Sequence, residues 1–302
     1  LPKLNFNFKN LDFLKVLKLM GPAVYGSAVY QLNVLAMTFF ASYLPTGTVS
    51  YLWYGDRIME FPLGIFAIAV ATVALPTLSE HASKKEIPQM KEALRQSLSL
   101  VWFLNLPASL GLILLGKPIV ALLFERGDFL AADTNHTAQT LTFFALGLPF
   151  LATARVMVNA FYAIQEAKKP VHAANISVVV NVLLAALLMH PLQHRGLALA
   201  VSLGAFTNMF FLFYFYRKKV GLMGLGALKG EFFKITLASC IMAGFLFVLR
   251  FFWAPVSARL FSKLLVVLSL VGSGVFVYFL ALFFLKSNSL QFLWKGLKKR
   301  LA

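Results

Sequence analysis

Trp53-Tyr54-Gly55-Asp56-Arg57-Ile58-Met59-Glu60-Phe61-Pro62 is the stretch on which the reading of this chain turns. Three charged residues, Asp56, Arg57 and Glu60, fall within five positions. An apolar run follows at once, from Leu63 to Leu78, broken only by small residues, Thr72 and Pro76. Such a run predicts a helix that crosses a bilayer, which puts the charges inside the membrane. Charge there is costly, and it marks a transport pathway more often than a static ion pair.

The rest of the chain agrees with a membrane setting. Of its 302 residues 60% are hydrophobic and only 13% charged, with 31 Phe and a mean hydropathy of +0.78. A soluble fold has too little polar surface to cover so much apolar side chain. The fold class expected is an all-α polytopic membrane protein. The net charge of +17 would suggest nucleic acid in a soluble protein. Here the basic residues fall in short connections between apolar runs, the pattern expected beside an anionic cytoplasmic leaflet, so no nucleic-acid partner is expected. The single Cys240 lies in an apolar run and reads as packing.

Eight transmembrane helices are predicted, over about 20–44, 49–78, 97–115, 140–164, 172–189, 196–216, 235–252 and 263–285. Residues 1–18, with Lys3, Lys9, Lys15 and Lys18, form either an amphipathic lead on the membrane surface or a loop cut from something upstream. The chain starts at Leu1 with no signal-peptide pattern, which reads as a fragment or a processed piece. Residues 19–217 form a six-span lobe, 218–234 a basic connection, 235–285 a final helix pair and 286–302 a basic tail. Polar connections are expected over 80–96, the second half as an interfacial helix, over 116–139, and over 190–195. The lead and the connections after spans two, four, six and eight carry most of the Lys and Arg. That alternation puts both ends in the cytoplasm.

Several residues invite a functional reading. Asp56 lies roughly 10 Å down span two, and Glu60 roughly 6 Å deeper. Asp56 and Glu60 share a helix face, and Arg57 reaches Glu60 three positions on. Pro62 removes a helical hydrogen bond and crowds the carbonyl of Ile58, which predicts a kink beside the charges, with Gly64 adding freedom. Pro22, between Gly21 and Gly26, does the same at the start of span one. Arg155 stands near the middle of span four with Asn159 one turn on. Its partner is a neighbouring helix, Asp56 or Glu60 across the bundle, a backbone carbonyl or a ligand phosphate. Gln31, Asn33, Asn175, Asn181 and Asn208 read as polar glue between helices. Glu125-Arg126-Gly127-Asp128 reads as a loop ion pair.

Enzyme and metal signals are weak. Gly221 to Gly226 follows a membrane span, not a strand, and is no dinucleotide fingerprint. His190 and His194 lack an accompanying Cys or acid, so no metal is expected. No paired nucleophile and base lies near either interface.

The run Ser50 to Gly64 resembles the MurJ/MviN family of bacterial lipid II flippases, within the multidrug/oligosaccharidyl-lipid/polysaccharide exporter superfamily. Ala71-Thr72-Val73-Ala74-Leu75-Pro76-Thr77-Leu78-Ser79, Leu123 to Gly127, Ala160 to Ala163, Lys169-Pro170-Val171 and Pro191 to Ala200 match in family order. The resemblance implies a fold of fourteen spans, two lobes of six plus a final pair. This chain looks like the second lobe and that pair. By motif, the family's cavity charges fall on Asp56, Arg57 and Glu60. Its basic residue in the fourth span falls on Arg155, where Lys is common. The family's final helices imply a lipid-tail groove near Phe245, Phe247, Phe276 and Phe279. The implied activity is translocation of the lipid-linked peptidoglycan precursor, lipid II, across the cytoplasmic (inner) membrane by alternating access, for cell wall synthesis.

No cofactor is implied, although Asp56 and Glu60 leave coupling to H+ or Na+ open, as does the membrane potential acting on a charged headgroup. The expected partners are lipid II, membrane lipids and a first lobe, in cis or in trans. A truncated, a split and a decayed transporter all fit the absence of that lobe. The rival readings are an exporter of another lipid-linked glycan or amphiphile, and a non-transporting scaffold or remnant.

Overall fold

The computed structural model describes residues 31–252 and 260–290. Pro22, the 1–18 lead and residues 291–302 lie outside it. Helix α1 is described over Gln31–Ser42. Gly47, at φ 95°, opens α2 (Thr48–Pro62), where the Thr48 hydroxyl donates to the Pro45 carbonyl at 2.8 Å. A π-helical turn, Leu63–Ala67, joins α2 to α3 (Ile68–Ser83), so the two helices form one span of 36 residues. Then come α4 (Ile87–Phe124), α5 (Ala131–Ala163), α6 (Lys168–Leu192), α7 (His194–Val220), α8 (Lys229–Phe252) and α9 (Leu260–Phe284), with a 3-10 turn at Leu225–Leu228 before α8. Seven of these helical segments are long and apolar enough to cross a membrane, and the described part of α1 is shorter.

The spans outrun their apolar windows. The connection expected over 80–96 is only a turn, because α3 runs to Ser83 and α4 starts at Ile87. Met90 and Leu94 are fully buried there. The connection expected over 116–139 shrinks to Glu125–Leu130 in the same way. Over 190–195 the only break is Gln193, at φ 50°. Hydropathy marks the bilayer core, whereas backbone hydrogen bonding carries a helix on into the polar zone wherever its inner face stays packed. The 218–234 connection is shorter too, since α7 reaches Val220 and α8 starts at Lys229. Lys218 and Lys219 sit in the last turn of α7, where cations suit the helix dipole.

Helix α5 is the axis of the bundle. Its most apolar window is 61% buried, against no more than 44% in any other span. It packs against α2, α3, α4 and α7 through Leu141, Phe144, Ala145, Leu148, Val156 and Met157. Gly147 brings α5 and α7 so close that a Cβ added there would lie 2.9 Å from Ser202 Cα. The Ser202 hydroxyl donates to the Phe143 carbonyl at 2.6 Å in the same contact. Small residues with a serine bond across the seam are the usual means of helix approach where lipid supplies no hydrophobic drive.

Two smaller clusters flank this core. The described end of α1 packs against α6 and α7 through Met37, Ala41, Ala185, Met189, Leu197 and Ala200. Asn181 donates to Asn33 Oδ1 at 2.6 Å beside them, the polar glue expected of these residues. The α8–α9 pair packs on α4 around Phe103 and Leu115. Tyr278 anchors that contact by donating to the Phe103 carbonyl at 2.7 Å. Cys240 is exposed on α8, contrary to the packing role expected of it.

Candidate functional site

The site grows from one face of α2. Glu60 lies one turn beyond Arg57 and accepts from its Nη1 at 2.6 Å. Trp53 lies one turn before Arg57, and the guanidinium carbon stands 4.4 Å from its ring centroid. The three residues follow at four- and three-residue spacing, which stacks them on a single helical stripe. The Arg57 side chain remains 52% exposed and that of Glu60 39% exposed. Asp56 is half-buried and makes no hydrogen bond or ion pair among the described residues. Glu60 alone therefore pairs with Arg57, whereas both acids flank it in sequence.

A π turn begins at the residue after Pro62, where the kink is expected. Pro62 keeps helical angles (φ −64°, ψ −35°) and is buried. Its missing N–H already interrupts the hydrogen-bond ladder, and a wider turn accommodates the gap.

Asn159 holds this irregular helix to α5 by donating to the Ala71 carbonyl at 2.7 Å, a separation of 88 residues. Higher up, Gly55 faces Thr140, Leu141 and Phe144, so the α2–α3 span and α5 run parallel in one register. That register sets Arg155 level with Ala67, about 15 Å below Arg57 at 1.5 Å per residue. Arg155 forms no ion pair with Asp56 or Glu60 in this conformation, and Glu60 pairs with Arg57 instead. Arg155 is exposed and makes no hydrogen bond or ion pair among the described residues. Two guanidiniums thus stand at successive depths, on helices that touch each other.

Phe245, Phe247, Phe276 and Phe279 are all exposed on the α8–α9 pair. Phe279 also meets Phe103 of α4 edge-on, with ring centroids 6.1 Å apart.

Three features escape a reading of the chain alone. Trp53 carries no charge, and only its four-residue spacing from Arg57 on one helix could have signalled the contact. Next, Tyr51 donates to Asp133 Oδ1 at 2.8 Å and stacks on His136, and His136 meets His194 edge-on with centroids 5.1 Å apart. His194 is thus the neighbour of His136 and not of His190, because helix packing outweighs nearness in sequence. Lastly, Glu231, only 6% exposed, accepts the Ser287 hydroxyl and the backbone N–H groups of Asn288 and Ser289 at 3.0 and 2.9 Å. The Ser289 hydroxyl in turn meets that of Ser99 on α4 at 3.0 Å.

The expected ion pair within Glu125–Asp128 does not form. Glu125 pairs with Lys263 of α9 at 3.0 Å and accepts the Thr134 hydroxyl at 2.8 Å. Lys263 holds the Glu125 carboxyl below its ordinary range, against a smaller opposing effect of burial. A fixed ammonium on a neighbouring helix outcompetes Arg126 in a short loop.

Comparison with known proteins fits this geometry. Residues 1–285 match the family model described as lipid II flippase MurJ. A probable lipid II flippase MurJ of Vibrio cholerae is 34% identical over 278 residues, covering 90% of this chain and 52% of that protein. One from Buchnera aphidicola subsp. Schizaphis graminum is 31% identical over 301 residues, covering 99% and 58%. A solved structure of lipid II flippase MurJ in an inward closed conformation superposes with a TM-score of 0.74 at 27% identity, over 92% of this chain and 55% of the other. A solved transporter of the MOP superfamily from Pyrococcus furiosus shares the fold, with a TM-score of 0.59 at 14% identity. The chain spans just over half the length of these curated relatives. It is an all-α, multi-pass protein of the bacterial inner membrane, and it belongs to the lipid II flippase MurJ family.

Proposed function

We propose that this chain is the second lobe and final helix pair of a fourteen-span lipid II flippase. It moves the lipid-linked peptidoglycan precursor from the inner to the outer leaflet by alternating access. The observation that carries this reading is Arg57. A guanidinium within a membrane-spanning helix is left half-exposed, and a second, Arg155, stands unpaired about 15 Å further along on the register of the two helices. Charges at such depths are tolerated where they line a wet cavity. A matching first lobe would close that cavity, in keeping with relatives nearly twice as long.

The chemistry follows from the headgroup. Its pyrophosphate offers oxygens whose geometry suits guanidinium forks. Arg57 and Arg155 attract it at two depths. Glu60 holds Arg57, and Asp56 adds negative charge that keeps anion binding weak enough for release. Asn159 holds the span carrying these charges against α5. The polyprenyl tail stays in lipid along the exposed Phe245, Phe247, Phe276 and Phe279, since a polar cavity offers hydrocarbon nothing. Eight spans with both ends cytoplasmic put Lys84, Lys85, Arg217, Lys218 and Lys219 on the cytoplasmic side. Transport requires no catalytic residue. Asp56 and Glu60 could couple transport to H+ or Na+, and the membrane potential could act on the charged headgroup.

The test is translocation of labelled lipid II in vesicles by this chain alone and with a matching first-lobe polypeptide. Transport is expected only with the partner, and Arg57→Ala is expected to abolish it while insertion is unchanged. Normal translocation by well-inserted Arg57→Ala would overturn the reading.

A further inference from the structure

We propose that Trp53 is a positioning residue for Arg57: its indole face holds the guanidinium at the depth where the headgroup phosphates are met. The inference rests on the reading of Arg57 given above. An arginine within a span tends to extend its long side chain toward the nearer interface. Helical side chains lean toward the N-terminus of their helix, which for α2 is the end at Thr48. Trp53 stands in that path. It is 58% exposed, so its ring is not consumed by core packing, and the Arg57 guanidinium carbon lies 4.4 Å from the ring centroid. Indole is the best of the aromatic faces for a cation.

Glu60 takes Nη1 from the other side at 2.6 Å. Arg57 is thus confined between residues one turn above and one turn below. Its Nε and Nη2 make no hydrogen bond to any described residue, and they remain available to phosphate oxygens. A lysine at this position would lose the planar fork, and an aliphatic residue at 53 would free the guanidinium to drift toward the end of the helix.

An indole at a membrane interface has another ordinary role, as an anchor in the aromatic belt. The two roles differ in whether the effect of Trp53 depends on Arg57. The closing experiment uses the full chain, labelled with 13C,15N-arginine, in lipid nanodiscs. The Arg57 guanidinium signal is identified by its loss in Arg57→Lys. Ring current from Trp53 is expected to displace that signal. The displacement should vanish in Trp53→Leu and persist in part in Trp53→Phe. A signal that Trp53→Leu leaves in place overturns the proposal.

Binding of lipid II to nanodiscs that also hold the matching first-lobe polypeptide supplies the second readout. Trp53→Leu is expected to weaken binding by about three- to thirty-fold, with Trp53→Phe recovering part of the loss. In an Arg57→Ala background Trp53→Leu should cost nothing more. Equal losses with and without Arg57 make Trp53 a belt residue and overturn the positioning role. If Arg57→Ala binds lipid II as well as the wild type does, or if the wild type does not bind, the headgroup reading of Arg57 fails. The arginine signal then still reports whether the contact forms.

Discussion

Glu231 provides the sharpest test of how the final helix pair is held. Its carboxylate lies in the first turn of α8 and accepts from the Ser287 hydroxyl and from the N–H groups of Asn288 and Ser289. Glu231→Ala leaves those three donors without their acceptor, two of them on the buried Ser287 and Ser289 and one on the exposed Asn288. Each buried unsatisfied donor costs about 1–3 kcal/mol. The lower end applies here, because polar bonds between membrane helices average only about 0.6 kcal/mol when measured by cycles. The sum over the two buried donors is about 2 kcal/mol, to which loss of an acid from a helix N-terminus adds about 0.3–1 kcal/mol.

Glu231→Gln keeps the shape and one oxygen but turns an amide donor toward N–H groups, so about half that loss is expected. The assay is reversible denaturation of the chain in detergent, with amide exchange followed at Asn288 and Ser289. Both amides should lose protection in Glu231→Ala. A variant within about 0.5 kcal/mol of the wild type, with both amides still protected, would refute the idea that this carboxylate clasps α8 to the end of α9.

Three other outcomes are open to measurement. Gly147→Ala should destabilise the bundle by about 1–3 kcal/mol in the same denaturation assay, because the new Cβ falls 2.6 Å from Ser202 Oγ and 2.9 Å from Ser202 Cα. Asn159→Leu should cost about 0.5–1.5 kcal/mol through the lost bond to the Ala71 carbonyl, and faster amide exchange in Ala71–Leu75 would report it. Lys263 holds the Glu125 carboxyl below its ordinary value of 4.5, so the pair stabilises the fold above about pH 4.5 and that contribution is lost as the pH falls through the depressed value. Its size should be about 0.2–1 kcal/mol, and Lys263→Met should remove that acid limb from the pH–stability curve.

Much of the architecture was legible in composition and period. Long apolar windows separated by basic connections specify helices across a bilayer, because no other secondary structure of a single segment satisfies its own backbone in hydrocarbon. The pair Arg57–Glu60 was legible as well, since three-residue spacing on a helix brings the side chains together regardless of what surrounds them. The span ends were not. Ile87 to Gln96 reads as polar, yet Met90 and Leu94 are fully buried, and hydropathy averages over the two faces of such a helix.

What the sequence by itself determined is whatever depends on neighbours along one helix: the membrane class, the order of the long apolar helices described and the Arg57–Glu60 pair. What only the tertiary structure decided is which helices face one another. Glu60 pairs with Arg57 and not with Arg155. His194 meets His136, and Glu125 meets Lys263 across 138 residues of chain. Asn159 bonds a carbonyl of α3, and Glu231 closes on Ser287, Asn288 and Ser289. The physical reason is one of range. Helical periodicity specifies which residues share a face, whereas the depth and rotation at which two faces meet are set by the packing of small residues such as Gly55 and Gly147 against neighbouring helices, a relation that no local pattern encodes.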